Sequence, residues 1–216
     1  MNFVLFGEGQ TEDEALPNFL RRWFDNKFQV DELKQRVGMQ VVRFNGCGEL
    51  IRDVATKAHL YLKKEDTIAV ISLLDLYGLP ADFYASEAYI ATRPASERYD
   101  WGKRKIEKIV NQPQFRHFFA VHETEAWLLS DPSIFPREIK EALPKTMAQP
   151  EKINFDEPPA KLLNKIYLAK TGKKYKKRTG GRKLFEKLDP NIAYRQCPKL
   201  KEMLDEMLKL AQDAVN

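Results

Sequence analysis

The fold is decided by the stretch Thr67-Ile68-Ala69-Val70-Ile71-Ser72-Leu73-Leu74-Asp75. Its first eight residues carry no charge and are rich in β-branched and leucine side chains. Such a run predicts a strand that is buried on both faces, as in a parallel sheet. The run stops at Asp75 and continues as Leu76-Tyr77-Gly78, which predicts a turn. An acid at the carboxyl end of such a strand lies where open α/β sheets place their functional groups.

The same kind of pattern surrounds this central strand. Three more strands are predicted, at residues 2–6, 39–44 and 117–121. One helix is predicted to begin at Thr11, because the spacing from Thr11 to Glu14 is that of a capping box. Two more helices are predicted at residues 50–61 and 96–110. Alternating strands and helices predict parallel βαβ units. We therefore expect an α/β protein with a Rossmann-like, mostly parallel sheet of about four strands flanked by helices.

The pattern changes after the fourth predicted strand. Residues 131–159 are rich in proline and contain no clear strand, and helices are predicted at 161–169 and 197–214. The last helix has its apolar side chains on one face, which predicts packing against a core. We expect residues 1–130 to form the α/β core and residues 131–216 to form a helical extension packed on it.

Charge is distributed unevenly along the chain. The sequence has 36 Lys and Arg against 31 Asp and Glu, yet residues 161–183 contain ten of the basic residues and no acidic one. A basic segment on an acidic body predicts contact with a polyanion such as nucleic acid, and the alternative is a solvated loop. Tyr175 lies in this segment and is a candidate for stacking on a base. The candidate phosphate contacts are Lys173, Lys174, Lys176, Lys177, Arg178, Arg182 and Lys183.

Acidic side chains follow three of the predicted strands. Glu8 follows the first, with Glu12 about one turn later, Asp75 follows the third, and Glu123 and Glu125 follow the fourth. We expect them to converge, because parallel strands end at one edge of a sheet. Clustered carboxylates favour a hard cation such as Mg²⁺ or Mn²⁺, although acids at helix starts can also be simple caps. We expect Glu8 and Asp75 to be metal ligands, and the other three to be secondary ligands or a general base.

Four blocks of sequence also carry a family resemblance. They are Glu-Gly-Gln-Thr-Glu at 8–12, Asp-Leu-Tyr-Gly at 75–78, His-Glu-Thr-Glu-Ala at 122–126 and Pro-Glu-Lys-Ile-Asn at 150–154. The first two resemble the Toprim pattern, in which a glutamate follows strand one and an Asp-x-Asp pair follows strand three. Toprim domains occur in topoisomerases, primases and OLD-type nucleases. The ordered set of four resembles a bacterial group of Toprim-related proteins, the domain-of-unknown-function family 4276.

This resemblance implies a Toprim-like core and a Mg²⁺-dependent nuclease, with a role in bacterial phage defence. It also implies an ABC-type ATPase encoded nearby as a partner, because OLD-type Toprim nucleases work with such ATPases. The sequence has no Walker-type Gly-Lys-Ser/Thr loop, so ATP hydrolysis would belong to another chain. Tyr77 stands where the second aspartate of Asp-x-Asp would be, so this strand offers one metal ligand fewer than the Toprim pattern.

Two other classes of function stay open at this point. One is a non-catalytic subunit of an ATPase complex that binds nucleic acid or a partner, and the other is a small-molecule phosphohydrolase. No apolar run approaches the roughly 20 residues of a membrane helix, and no signal peptide is evident, so we expect a cytoplasmic protein without a membrane partner. Cys47 and Cys197 show no metal-ligand pattern and are predicted to be reduced.

Overall fold

The computed structural model describes residues 1–8, 15–144, 149–152 and 158–215. One sheet is formed by strands β1 (Asn2–Gly7), β2 (Gly38–Arg43), β3 (Thr67–Asp75) and β4 (Phe115–Ala120). The strand order is β2-β1-β3-β4, and each neighbouring pair is parallel. The predicted α/β class and its parallel sheet of four strands are therefore confirmed.

Helices flank the sheet on both faces. They are α1 (Leu16–Gln29), α2 (Cys47–Leu62), α3 (Ala95–Val110), α4 (Glu125–Leu129), α5 (Arg137–Lys140), α6 (Pro159–Thr171), α7 (Arg182–Lys187), α8 (Pro190–Gln196) and α9 (Pro198–Asp213). Short 3₁₀ segments lie at Leu76–Gly78, Ala81–Thr92, Pro132–Ile134 and Pro150–Lys152, and a π-helical turn covers Lys177–Gly181. Within the described part of the chain, no helix is both long and apolar enough to cross a membrane.

The central strand is buried as its sequence predicts. Every residue from 67 to 74 is buried, because β1 and β4 pair with the two edges of β3 and helices cover both of its faces. Only its last residue, Asp75, is partly exposed at the carboxyl edge of the sheet. The order of the strands therefore sets Asp75 between the ends of β1 and β4.

Strand β4 begins two residues before its predicted start. The charged Arg116 interrupts the apolar pattern and hides the beginning of the strand in the sequence. His117, where the predicted strand begins, is also polar. His117 is nevertheless fully buried, with its Nδ1 3.0 Å from the hydroxyl oxygen of Ser72 on β3. Burial lowers the pKa of His117 well below its usual value, so its ring is neutral.

Two apolar cores lie on the two faces of the sheet. On one face, Val4 and Phe119 pack with helices α2 and α3. On the other, Phe3 and Phe118 pack with α1 and with helices of the C-terminal part, including Met203 of α9. The residues after 130 thus share a core with the sheet, and the domain boundary at residue 130 stays a prediction.

The first helix illustrates how proline fits a helix start. Helix α1 is described from Leu16 onward, and Pro17 lies in its first turn. Proline lacks an N–H group, and no hydrogen bond is lost there because the first N–H groups of a helix have no acceptor within the helix. The predicted start at Thr11 and the capping box with Glu14 lie outside the described residues.

Candidate functional site

The ends of β1 and β3 bring Glu8 and Asp75 side by side. The two strands are hydrogen-bonded neighbours, and the backbone N–H of Asp75 donates to Oε1 of Glu8 over a nitrogen–oxygen distance of 3.4 Å. Both residues are partly buried at the carboxyl edge. This is the edge at which open parallel sheets bind their ligands.

Glu125 joins these acids through Lys177. The Nζ atom of Lys177 lies 3.0 Å from Oε2 of Glu125 and 3.6 Å from Oδ2 of Asp75. The side chain of Glu125 is completely buried, whereas that of Lys177 is 38% exposed. One ammonium group thus neutralises carboxylates that follow two different strands. We refer to Asp75, Glu125 and Lys177 as the carboxylate–lysine cluster.

Lys177 reaches this cluster because the chain before it is anchored. Helix α6 ends at Gly172, whose φ of 67° lies in the left-handed region that glycine adopts without strain. The chain then turns back, and Tyr175 is buried against Tyr167, with their ring centroids 5.5 Å apart. Burial raises the pKa of Tyr175, and the charge of nearby Glu125 raises it further. Because Tyr175 is buried, the expectation that it stacks on a base is wrong.

The other basic residues of this segment face solvent. Two open grooves run along it, of about 730 Å³ and about 540 Å³. The larger groove is lined in part by Lys173, Lys174 and Lys176, and the smaller by Arg178, Arg182 and Lys183. All six are exposed, whereas Lys177 turns inward to the acids. The segment therefore has an outward basic surface and one inward lysine.

Glu123 has a different environment from Glu125. Its Oε2 accepts a hydrogen bond of 2.9 Å from the backbone N–H of Ala160, in the first turn of α6. The contact satisfies one N–H that has no partner within the helix. It also ties the start of α6 to the end of β4. Glu12, the remaining predicted acid, lies outside the described residues.

The turn between β4 and α4 has an unusual backbone. His122 has a φ of 71°, a region that residues other than glycine rarely adopt. Its carbonyl oxygen accepts a hydrogen bond of 3.4 Å from the backbone N–H of Tyr77. This turn ends β4 and is followed at once by α4, which begins at Glu125. Such backbone conformations are common at functional sites.

The acids can be tested as ligands for a divalent cation. Among the described residues, no group of three or more His, Cys, Asp or Glu side chains is arranged to hold a metal. Asp75 and Glu125 nevertheless already share a cation, and the carboxylate of Glu8 lies against the backbone of Asp75. Mg²⁺ needs only one or two carboxylates, since water completes its shell. The residues present therefore fit a Mg²⁺ or Mn²⁺ ion that keeps several waters.

Sequence reasoning missed a second carboxylate with several hydrogen-bond donors, that of the partly buried Glu151. Its Oε2 accepts a hydrogen bond of 2.6 Å from the backbone N–H of Lys199, and its Oε1 accepts one of 3.3 Å from Leu200. The indole N–H of Trp127 also donates to Oε1, at 3.2 Å. Burial raises the pKa of Glu151 by more than these donors lower it. Helix α9 starts at Pro198, and the residue before it, Cys197, does not cap it with its side chain. The absence of a capping residue in the sequence is a signal that the first N–H groups of α9 need an acceptor from another part of the chain.

Neither cysteine has the properties of a nucleophile. Cys47 and Cys197 are both buried and free. Burial raises the pKa of Cys47 to about 12, and the charge of Glu8 contributes to this shift. Cys47 is therefore a neutral thiol at physiological pH.

The fold and this edge define the class of protein: an α/β domain with a parallel sheet whose strand ends gather acids beside a basic segment. The family model for the domain of unknown function DUF4276 matches residues 7–208, so the chain belongs to that family. A search of curated proteins finds no significant match.

A solved structure that resembles the chain is the C-terminal region of the Xanthomonas campestris pv. campestris OLD protein. The two are 14% identical, with 99% of this chain and 95% of that chain covered, and the TM-score is 0.39. So low a score carries no conclusion about function, which must be inferred from this chain's own residues.

Proposed function

We propose that this protein is a metal-dependent nuclease with a Toprim-like site, hydrolysing phosphodiester bonds in DNA or RNA. The observation that supports this most directly is the convergence of Asp75 and Glu125 on one cation, at the edge where β3 ends. Glu8 lies beside them, as the resemblance to the Toprim pattern implies. A bound Mg²⁺ or Mn²⁺ ion would supply Lewis-acid stabilisation and an activated water.

The protein's own residues would hold and orient the reacting groups. Glu8 and Asp75 are the proposed metal ligands, and Glu125 supplies a third oxygen donor that burial holds in one position. Glu123 has one oxygen occupied by Ala160, so its second oxygen is the candidate secondary ligand or general base. Glu12 is proposed for the same role from the sequence alone.

The outward basic residues would bind the polymer on either side of the cleaved bond. Lys176 and Arg178 are the chain neighbours of Lys177, whose ammonium contacts the acids. Each of the two grooves is thus lined by a residue adjacent in sequence to the lysine that contacts the proposed metal ligands. Lysine and arginine side chains neutralise phosphates in a way that is independent of sequence. This continuity favours a polynucleotide substrate over a small phosphoester.

A non-catalytic binding subunit is the second candidate. Tyr77, in place of the second Toprim aspartate, is 56% exposed, and no three-ligand metal group exists among the described residues. In that case the basic grooves would hold nucleic acid for an ABC-type ATPase encoded nearby. The role in phage defence and a cytoplasmic location are proposals that rest on the resemblance and on the sequence.

Cleavage of plasmid, single-stranded DNA and tRNA, with Mg²⁺ or Mn²⁺ against EDTA, tests the proposal. We expect metal-dependent cleavage that falls by about a hundredfold or more in Asp75→Asn, because a ligand is lost. The matched control is Asp66→Asn, since Asp66 is exposed and precedes the opposite end of the same strand. Equal cleavage by Asp75→Asn and the control would exclude this site. Binding of nucleic acid without cleavage would favour the second candidate.

A further inference from the structure

Lys177 is the most exposed member of the carboxylate–lysine cluster. Its side chain is 38% exposed, whereas that of Asp75 is 17% exposed and that of Glu125 is fully buried. A buried carboxylate without a counter-charge is strongly unfavourable. A cation therefore stabilises Glu125 whenever it is ionised, and in this structure the ammonium of Lys177 lies 3.0 Å from its Oε2.

A divalent metal would need the same oxygen atoms. The Lys177 ammonium contacts Oε2 of Glu125 and Oδ2 of Asp75, which both belong to the proposed metal site. Two cations close to the same pair of oxygens repel each other strongly where burial excludes water. Occupation of the site by metal and by Lys177 is therefore mutually exclusive.

Building on the proposed metal site, we propose that Lys177 is a built-in competitor for the metal. In the metal-free protein, Lys177 neutralises Asp75 and Glu125. When Mg²⁺ or Mn²⁺ binds, the ammonium is displaced and turns outward, beside Lys176 and Arg178. The protein thereby exchanges an internal ion pair for a metal site and gains one more cation on its basic surface.

The backbone around Lys177 is held well enough for the side chain to move alone. Tyr175, two residues earlier, is buried. The carbonyl oxygen of Lys176 accepts hydrogen bonds of 2.7 Å from Gly180 and 3.3 Å from Gly181, closing the π-helical turn. Gly180 also lies so close to Tyr175 that a Cβ there would be 3.4 Å from its ring. These contacts hold the backbone of the segment in place while the Lys177 side chain changes its position.

The exchange links metal binding to nucleic-acid binding. A bound metal ion displaces Lys177 toward the surface where phosphates would bind. A phosphate that binds Lys177 at that surface removes the ammonium from the metal site and leaves the site open to a metal ion. Such coupling is reciprocal, so each ligand raises the affinity for the other by the same factor. This predicts tighter metal binding in the presence of nucleic acid and tighter nucleic-acid binding in the presence of metal.

Mn²⁺ titration of purified protein tests the competition. We expect Lys177→Met to bind Mn²⁺ about tenfold more tightly than wild type, because no ammonium has to be displaced. Lys176→Met is the matched control: the neighbouring lysine is exposed, and its loss should change the affinity less than twofold. Thermal unfolding checks the fold, and Mn²⁺ should raise the melting temperature of Lys177→Met more than that of wild type.

Chemical labelling of wild-type protein follows the same exchange without a substitution. Saturating Mn²⁺ should increase acetylation of Lys177 by an amine-reactive reagent, measured by mass spectrometry, and leave Lys176 unchanged. Mn²⁺ binding with equal affinity in wild type and Lys177→Met, or labelling of Lys177 that does not respond to Mn²⁺, would overturn the competition alone. Failure of both proteins to bind Mn²⁺ would overturn the metal site, and with it the proposed function.

Discussion

Two glutamates of this protein, the fully buried Glu125 and the partly buried Glu151, differ in the groups that hold their carboxylates. Both are tied to α4, since Glu125 is its first residue and Trp127 of the same helix donates to Glu151. Glu151 is held by N–H groups of an indole and of the first turn of α9, which are fixed parts of the core. Glu125 pairs with an ammonium at the end of a long, partly exposed side chain.

The difference shows that burial of a carboxylate does not by itself indicate function. Neutral N–H donors hold the carboxylate of Glu151 in one position, and it completes the start of a helix. A lysine ammonium can be replaced by another cation, so Glu125 and Asp75 can serve as ligands. The nature of the partner group therefore separates the structural acid from the candidate catalytic acids.

The largest effect expected from this contrast is on cleavage. Glu125→Gln removes a negative charge from the proposed metal site, and we expect metal-dependent cleavage to fall by about a hundredfold or more. Glu151→Gln should retain cleavage within a few-fold when assayed well below its melting temperature. Rates for both variants with Mg²⁺, on the substrate that wild type cleaves best, measure the contrast. A folded Glu151→Gln protein that has lost cleavage would contradict the contrast between Glu125 and Glu151.

A smaller effect is expected on the stability of Glu151→Gln. Glutamine offers one acceptor oxygen where three N–H groups now donate, so we expect a loss of about 1–3 kcal/mol in the free energy of unfolding at pH 7. The folded-state pKa of Glu151 is raised, so the folded protein binds this proton more readily than the unfolded chain. This contribution is present at low pH and is lost as the pH rises through the raised pKa.

The stability gap between wild type and Glu151→Gln should therefore widen as the pH falls from the raised pKa toward the ordinary glutamate value of about 4.3. Urea unfolding of the two proteins at several pH values measures this gap, and every titrating group that they share cancels in the difference. A gap that narrows on acidification would show that the three N–H donors outweigh burial.

The smallest effect per residue is expected when the outward lysines are replaced, and the quantity affected is nucleic-acid binding. These lysines differ from Lys177, whose side chain turns inward. Alanine at Lys173, Lys174 and Lys176 should reduce the slope of log affinity against log salt by about one for each phosphate contact removed. Nucleic-acid binding measured between about 50 and 200 mM salt gives this slope. Lys63→Ala is the control, since Lys63 is exposed and lies just before the opposite end of β3. Equal slopes in all variants would show that the basic grooves do not bind phosphates.

Much of the fold follows from local sequence patterns. The uncharged run before Asp75 predicts a buried central strand, and the helices α2, α3, α6 and α9 follow from apolar periodicity to within two or three residues. The start of β4 was missed because the charged Arg116 hides Phe115 before it. His117, where the predicted strand begins, is buried with its Nδ1 3.0 Å from the hydroxyl oxygen of Ser72 on the neighbouring strand. A side chain satisfied by a distant strand leaves no local signal.

The inward position of Lys177 could not be predicted from charge, since its neighbours have the same charge. A signal exists in retrospect at Tyr175: in an extended chain, residues two apart face the same side, so a buried tyrosine directs Lys177 inward as well. Recognising that signal requires knowing that Tyr175 is buried, which depends on Tyr167 in the preceding helix.

The contact of Glu123 with Ala160 has a consequence for how this molecule tolerates changes in length. The chain from Ala160 to Lys177 is fastened at one end by Glu123 and at the other by Glu125, two acids that are neighbours on the same turn. Its far end is the exposed turn at Gly172. Residues inserted there would lengthen this hairpin, while its two ends at Ala160 and Lys177 keep their contacts. The length of this hairpin can thus change without moving its contacts with Glu123 and Glu125.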